Sequence, residues 1–186
     1  MIPVSDTGVD PGAIRFVPAR LDHANAFLTM MRALENSDPG TTPFDEARRR
    51  LVFEQFVQDD TYGRAWLIAL GPQYVGYVVL TVSFSFEYRG CDAYIDELYI
   101  SKEHRGQGIG RQAMEFVEEA ARELGVNAMH LEVSRGNDAA LELYRRGGYV
   151  DHDRHFDDQV ADSRELLNLQ EANGTGEFGD ASVQSS

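Results

Sequence analysis

The stretch Arg105-Gly106-Gln107-Gly108-Ile109-Gly110 carries the most distinctive chemistry in this chain. It stands where an apolar, β-branched run ends and a strongly amphipathic stretch begins. Glycines there let successive backbone N–H groups converge on one concavity, and the partial positive charge of a helix N-terminus falls at the same place. Arg105 and Arg111 bracket the loop with guanidinium groups suited to phosphate oxygens. A ligand carrying a pyrophosphate is implied. Two familiar phosphate loops do not fit: a G-x-G-x-x-G fingerprint that starts at Gly106 requires glycine where Arg111 stands, and no Gly-Lys-Ser/Thr follows the glycines.

The elements that must position this loop can be read from periodicity. Ile14-Arg15-Phe16-Val17 alternates like a short strand, and Leu21, Ala24, Leu28, Met31 and Leu34 recur at helical spacing over about 21–34. Asn36-Ser37-Asp38-Pro39-Gly40 breaks that helix, and a second amphipathic stretch over about 44–57 carries Ala47, Leu51, Phe53 and Phe56. Three apolar runs over about 65–70, 74–86 and 91–100 read as strands joined by turns at 71–73 and 87–90, lengths suited to antiparallel hairpins. Ile109, Ala113, Phe116, Val117, Ala120, Ala121 and Leu124 mark one face of a helix that Gly125 can end, and residues 128–133 read as a buried strand. Asn137 can cap a short helix running to about Arg145, and Gly147-Gly148 ends it before a further strand at Tyr149-Val150. A strand, crossover helix and strand over 91–133 imply one parallel pair in an otherwise antiparallel sheet, hence a mixed α/β fold.

At 186 residues the chain fits one domain, expected over 13–169, with flexible tails at 1–12 and 170–186 where Gly, Pro, Ser and Asn collect. Its 42% hydrophobic content is that of a globular protein, and no apolar run approaches the ~18 residues that cross a bilayer, so no membrane partner is expected. The start, Met1-Ile2-Pro3-Val4-Ser5-Asp6, lacks a basic, then apolar, secretory pattern, which predicts a cytoplasmic location. Cys91 stands alone, which excludes an internal disulfide. With 31 acidic residues against 17 Lys plus Arg, the net charge of −14 opposes nucleic-acid binding and favours a cationic ligand, although much of it is expected to be solvated surface. His152-Asp153-Arg154-His155 reads as a polar turn rather than a metal site, and Arg48-Arg49-Arg50 as the solvated face of the second helix.

The loop, with Arg105, Gly108 and Gly110 in place and Gly106 after the arginine, resembles the R/Q-x-x-G-x-G/A signature of the GNAT N-acetyltransferase superfamily. Asp96 to Arg105 is similar to the strand that leads into that loop, and Asn137 with Leu143-Tyr144-Arg145-Arg146-Gly147-Gly148-Tyr149 is similar to its later N…LYxxxGF segment. The resemblance runs over about 13–156. It implies the GNAT fold, a mostly antiparallel central sheet with helices on both faces and one parallel pair at an acyl-CoA cleft. It also implies acetyl-CoA as cosubstrate, a small amine as acceptor, and a homodimer as a family-level expectation.

For the site, the resemblance implies that Arg105, Gly106, Gln107, Gly108, Ile109, Gly110 and Arg111 hold the pyrophosphate, that backbone groups of Leu98 and Ile100 pair with the pantetheine arm, and that Asn137 helps hold the cofactor. Acyl transfer needs a neutral amine, yet an alkylamine with a pKa of about 10 is protonated near neutrality, so a base is required. Strand alternation puts Tyr94, Asp96, Leu98 and Ile100 on one face, and Glu97 and Tyr99 on the other. Asp96, nine residues before Arg105, is the first candidate base, standing where polyamine acetyltransferases carry a glutamate that acts as base; Glu97 is the second, standing where aminoglycoside acetyltransferases carry an acid. Tyr144 matches the family's general acid for the departing thiolate. The acceptor side is expected to involve residues 35–44, where Glu35 and Asp38 can meet a cation. Protein N-terminal or lysine acetylation and non-catalytic acyl-CoA sensing are the alternatives.

Overall fold

The computed structural model describes residues 2–3, 12–39 and 42–152, and every element below lies in the compact unit that ends at Val150. Most of the expected 1–12 tail, the expected tail at 170–186, the region 153–169 and most of the His152 to His155 turn fall outside the described residues; within the first of these, Ile2–Pro3 forms a short paired strand instead of a flexible tail. In chain order the strands are β1 (Ile2–Pro3), β2 (Ile14–Pro18), β3 (Gly63–Leu70), β4 (Gln73–Ser85), β5 (Gly90–Ile100) and β6 (Ala128–Leu131). The helices are α1 (Ala24–Ser37), α2 (Glu46–Phe56), α3 (Ile109–Glu123) and α4 (Asp138–Arg146).

The sheet runs β2-β3-β4-β5-β6, with β1 added against the start of β4. All pairings are antiparallel except β5 with β6, which is the expected parallel pair. Helices cover both faces. On one, Phe27 and Met30 of α1 and Phe53 of α2 pack on Leu67, Tyr77, Val79 and Tyr99; on the other, Met114, Val117 and Ala121 of α3 pack on Val78, Leu80, Ala93 and Ile95. Phe116 stacks on Phe16 at 4.1 Å between ring centroids and meets Trp66 edge-on at 5.2 Å, so α3 is anchored across the sheet as well as along it. Burial of this kind contributes roughly 1.5–3 kcal/mol per large apolar side chain.

Local chemistry sets the helix ends. Asp45 accepts a hydrogen bond from the Arg48 N–H at 3.1 Å to start α2, and Asn137 accepts one from the Ala140 N–H at 3.2 Å to start α4. Beyond α3, Gly125 takes φ +72°, as the left-handed cap requires. The strand expected at Tyr149-Val150 does not form in the described residues. Gly148 turns the chain at φ +86°, and the Tyr149 N–H donates back to the Tyr144 carbonyl at 3.1 Å, which wraps this segment around the end of α4. Likewise β6 stops at Leu131 rather than reaching Val133, because β5 no longer runs beside it there.

Two bulges shape the middle of the sheet. Val79 pairs with Glu97 and Leu80 with Ile95, so Asp96 is an extra residue on β5; in β4, Gly76 pairs with Ile68 and Tyr74 with Ala69, which makes Val75 the extra residue there. Gly76 lies at the second irregularity, where a Cβ would stand 2.3 Å from the Tyr99 carbonyl oxygen. Gly76→Ala should therefore lower stability by about 1–3 kcal/mol, the usual cost of forcing atoms into a packed interior, read from the shift in chemical denaturation midpoint.

Candidate active site

The site starts from β5. Its pairing with β6 covers Asp92 to Ile95 and then ends, so among the described residues no strand lies beside the β6-facing edge of residues 96–100. Backbone donors and acceptors on that edge face an opening in the sheet. At the foot of the opening the Ser101 N–H is tied to the Val75 carbonyl at 2.8 Å, a short turn over Lys102–His104 follows, and Arg105 donates from Nε to the Ile100 carbonyl at 2.9 Å. The Ile100 carbonyl expected to face the cofactor thus already accepts one bond from the loop arginine.

Three glycines of the loop are required for different physical reasons. Gly106 and Gly108 have φ of +74° and +78°, which disfavour any Cβ, and a Cβ at either would meet no atom within 4 Å, so the loop is open on that side. Gly110 is helical, but a Cβ there would lie 3.2 Å from Leu143 Cδ2, so it lets α3 approach α4. The Gln112 N–H is the first in α3 to reach a carbonyl four residues back, Gly108 O at 3.1 Å, which leaves the N–H groups of Ile109, Gly110 and Arg111 at the mouth of the loop without that helical partner. Gln107 braces the preceding turn through Nε2 to the Glu103 carbonyl at 3.2 Å, and exposed Arg111 pairs with Glu115 at 3.7 Å. Open left-handed glycines, first-turn N–H groups and two flanking guanidinium groups fit a pyrophosphate. Asn137 is seen as the cap of α4; its carbonyl oxygen serves the helix.

On the opposite face of β5 lies a cleft of about 100 Å³ lined by Met31, Leu34, Glu35, Asp38, Phe44, Arg49 and Glu97. Glu97 accepts a hydrogen bond at Oε2 from the Tyr77 hydroxyl at 2.8 Å, and Arg49 Nη1 stands 3.5 Å from its Oε1. Burial lifts the Glu97 carboxyl above the ordinary glutamate range; the Tyr77 hydrogen bond and Arg49 hold it down, while Asp96 and Glu35 push it further up. Asp96 is exposed at the bulge, yet desolvation still raises its carboxyl, against the pull of Arg49. Tyr144 is lifted above the usual phenol range by burial and then by the charge of Asp38, whose Oδ1 accepts from the Ser134 hydroxyl at 3.0 Å.

Strand alternation is corrected here. Leu98 and Ile100 pack towards α3, and Glu97 and Tyr99 towards α1 and α2, but the bulge breaks the period at Asp96, so Ile95 and not Asp96 shares the face of Leu98. Arg49 is the second correction: it is not merely part of a solvated basic run but lines the cleft and meets Glu97. The signal for this was present in its spacing, since Arg49 precedes Phe53 by four and Phe56 by seven residues and so shares their core-facing stripe. Glu35 and Asp38 line the cleft as expected; Tyr77 gave no sequence signal beyond its place in an apolar strand.

A mixed sheet split beside one strand, with a phosphate-type loop at the foot of the split and an acid-lined cleft behind it, defines the class of protein. The chain belongs to the acetyltransferase (GNAT) family, whose model matches residues 28–149. Members of that family use acetyl-CoA. Among its relatives, thialysine N-epsilon-acetyltransferase of Bos taurus is 36% identical over 81 residues, covering 44% of this chain and 47% of that protein. Streptothricin acetyltransferase of Streptomyces lavendulae is 40% identical over 56 residues, covering 30% of each. The match therefore spans about half or less of these relatives. An integron cassette protein from the mobile metagenome of Cole Harbour Salt Marsh superposes with a TM-score of 0.68 at 27% identity, over 78% of this chain and 89% of its own. Among the described residues no helix is long and apolar enough to cross a membrane, and no cluster of three or more His, Cys, Asp or Glu is arranged to hold a metal.

Because Gly108 faces open space, Gly108→Asp adds a negative charge where phosphate is expected and a strained φ, while touching no packed atom. Titration calorimetry should show CoA affinity lower by at least roughly tenfold, about 1.4 kcal/mol. Unaltered affinity would remove the loop from the cofactor site.

Proposed function

We propose that this chain is an N-acetyltransferase that moves acetyl from acetyl-CoA directly to the primary amine of a small, cationic acceptor. The observation that carries the reading is that β5 has two working sides: an edge, unpaired among the described residues, that leads into the glycine loop, and Glu97 in an acid-lined cleft on the face towards α1 and α2. Donor and acceptor then meet across one strand. The thioester supplies an activated acyl carbon; everything else falls to the chain. Arg105, Arg111 and the N–H groups of the loop from Gly106 to Gly110, with Gln107 bracing it, bind the pyrophosphate. Backbone groups of Leu98 and Ile100 pair with the pantetheine arm as a neighbouring strand would, and the Leu98 N–H is aimed at the thioester carbonyl oxygen. Asn137 holds the cofactor from the start of α4.

On the acceptor side, Glu35, Asp38 and Asp96 draw the ammonium in, and Glu97 takes its proton. Burial raises the carboxyls of both Asp96 and Glu97, which suits a base near neutral pH, and of the two it is Glu97 that lines the cleft, which favours Glu97 for this step. Tyr144, held protonated by burial, gives its proton to the departing thiolate. Relatives named for thialysine and streptothricin act on amines, in keeping with this acceptor class.

Thiol release from acetyl-CoA across polyamines, aminoglycosides, amino acids and basic peptides tests the reading. A small polycation should turn over best; turnover of basic peptides alone would move the assignment to protein acetylation, and tight CoA binding with no turnover would move it to acyl-CoA sensing. For the active acceptor, kcat/KM should fall as pH drops through a limb lying above the usual glutamate value of about 4.3, because the folded-state carboxyl is raised. Glu97→Gln should abolish that limb along with most of the rate. Tyr144→Phe should lower kcat by roughly 10²-fold with CoA affinity retained, and full activity in that variant would eliminate the tyrosine as the acid.

A further inference from the structure

The two oxygens of Glu97 are held very differently. Oε2 accepts from Tyr77, whose ring is fully buried and wedged between Phe27 at 4.4 Å and Tyr99 at 5.9 Å, so that donor cannot move. Oε1 faces Arg49, whose Nη1 lies 3.5 Å away, well beyond the roughly 2.7–2.9 Å of a firm charge-assisted bond. The Arg49 side chain keeps 31% of its surface exposed and so can swing towards solvent at the cleft mouth, past the Phe44 ring, whose centre lies 6.0 Å from its guanidinium and which Arg32 already covers at 4.6 Å. Both partners line the same cleft as Glu35 and Asp38.

We infer that Tyr77 and Arg49 make a one-sided clamp on Glu97, in which Tyr77 permanently fixes Oε2 while Arg49 occupies the Oε1 seat until an acceptor ammonium displaces it. This rests on the reading of Glu97 as the base. Arg49 is then a positioning and specificity-determining residue: it offsets the cleft carboxylates when no acceptor is bound and yields only to another cation. Its departure also changes the chemistry. The groups facing Glu97 are Tyr77 from β4, Asp96 from β5, Glu35 from α1, Asp38 just past it and Arg49 from α2. Arg49 is the only cation in that set, so moving it away raises the proton affinity of the carboxylate as the acceptor arrives. The proton then passes from the ammonium nitrogen to Oε1: an N–H bond breaks, an O–H bond forms, and the nitrogen lone pair is released for attack on the acyl carbon. An uncharged ligand of the same size does not trigger the exchange.

The test uses the full chain with 1,4-diaminobutane as probe, its binding followed by calorimetry, and the Glu97 carboxyl followed by carbon-detected NMR titration. Arg49→Gln should bind the diamine about two- to fivefold more tightly, the scale of losing a partly exposed competing ion pair, and its Glu97 should titrate at higher pH than in the parent. Arg49→Lys, which keeps the cation, should restore both values towards the parent. Tyr77→Phe should also raise the Glu97 titration, because a donor to the ionised form is lost, without tightening the diamine. If Tyr77→Phe does not fold, the Arg49 pair decides alone, since that side chain lies at the cleft surface. Equal or weaker diamine binding in Arg49→Gln, an unmoved Glu97 titration, or no diamine binding to any variant overturns the clamp. Thiol release by Glu97→Gln separates the two ideas: activity retained in that variant refutes the base itself, whereas activity lost while Arg49→Gln behaves like the parent refutes only the clamp.

Discussion

Among the described residues, β5 beyond Ile95 is paired on one side and open on the other, and the arrangement of the site depends on that asymmetry. A strand in the middle of a sheet normally has its backbone groups satisfied on both edges. Here the bulge at Asp96 re-aims β5 while its pairing with β4 continues to Ile100, so the neighbour on the far side, β6, ends at Leu131 instead of following. The unsatisfied edge is a ready place for an extended ligand that can hydrogen-bond like a strand. The same bulge keeps Glu97 and Tyr99 on the face with α1 and α2, opposite Leu98 and Ile100 on the α3 face.

The electrostatics of the cleft are local rather than global. A net charge of −14 is distributed over the whole chain, but the field in the cleft comes from Glu35, Asp38 and Glu97 that line it and from Asp96 beside it, with Arg49 as the counter-charge. Burial amplifies these few charges, because low dielectric around Glu97 makes each neighbour count for more than it does at the surface. Tyr77 sits in the hydrophobic cluster beneath α1 and α2, so the packing that stabilises the fold also fixes the orientation of the carboxylate. Ser134, holding Asp38 from the segment that follows β6, links the cleft to the region in front of α4, where Tyr144 responds to the charge of Asp38.

The sequence by itself determined the order and type of the elements from β2 to α4, the glycine loop before α3 and the caps at Asn137 and Gly125, because each rests on contacts among residues close together in the chain: period, turn chemistry and helix-end hydrogen bonds. The parallel pair followed from the strand, crossover helix, strand order, while the pairing of Ile2–Pro3 with β4 was not legible. It also determined that residues 96 and 97 are adjacent acids, without showing which of them faces the cleft. That was decided only in the tertiary structure, because a bulge is set by the register of β4 against β5 and shifts every side chain beyond it to the other face. The ending of β6, the absence of a strand at Tyr149-Val150, the hydrogen bond from Tyr77 and the approach of Arg49 to Glu97 are of the same kind. Each joins residues far apart in the chain, so each depends on how whole elements dock, which local periodicity does not encode.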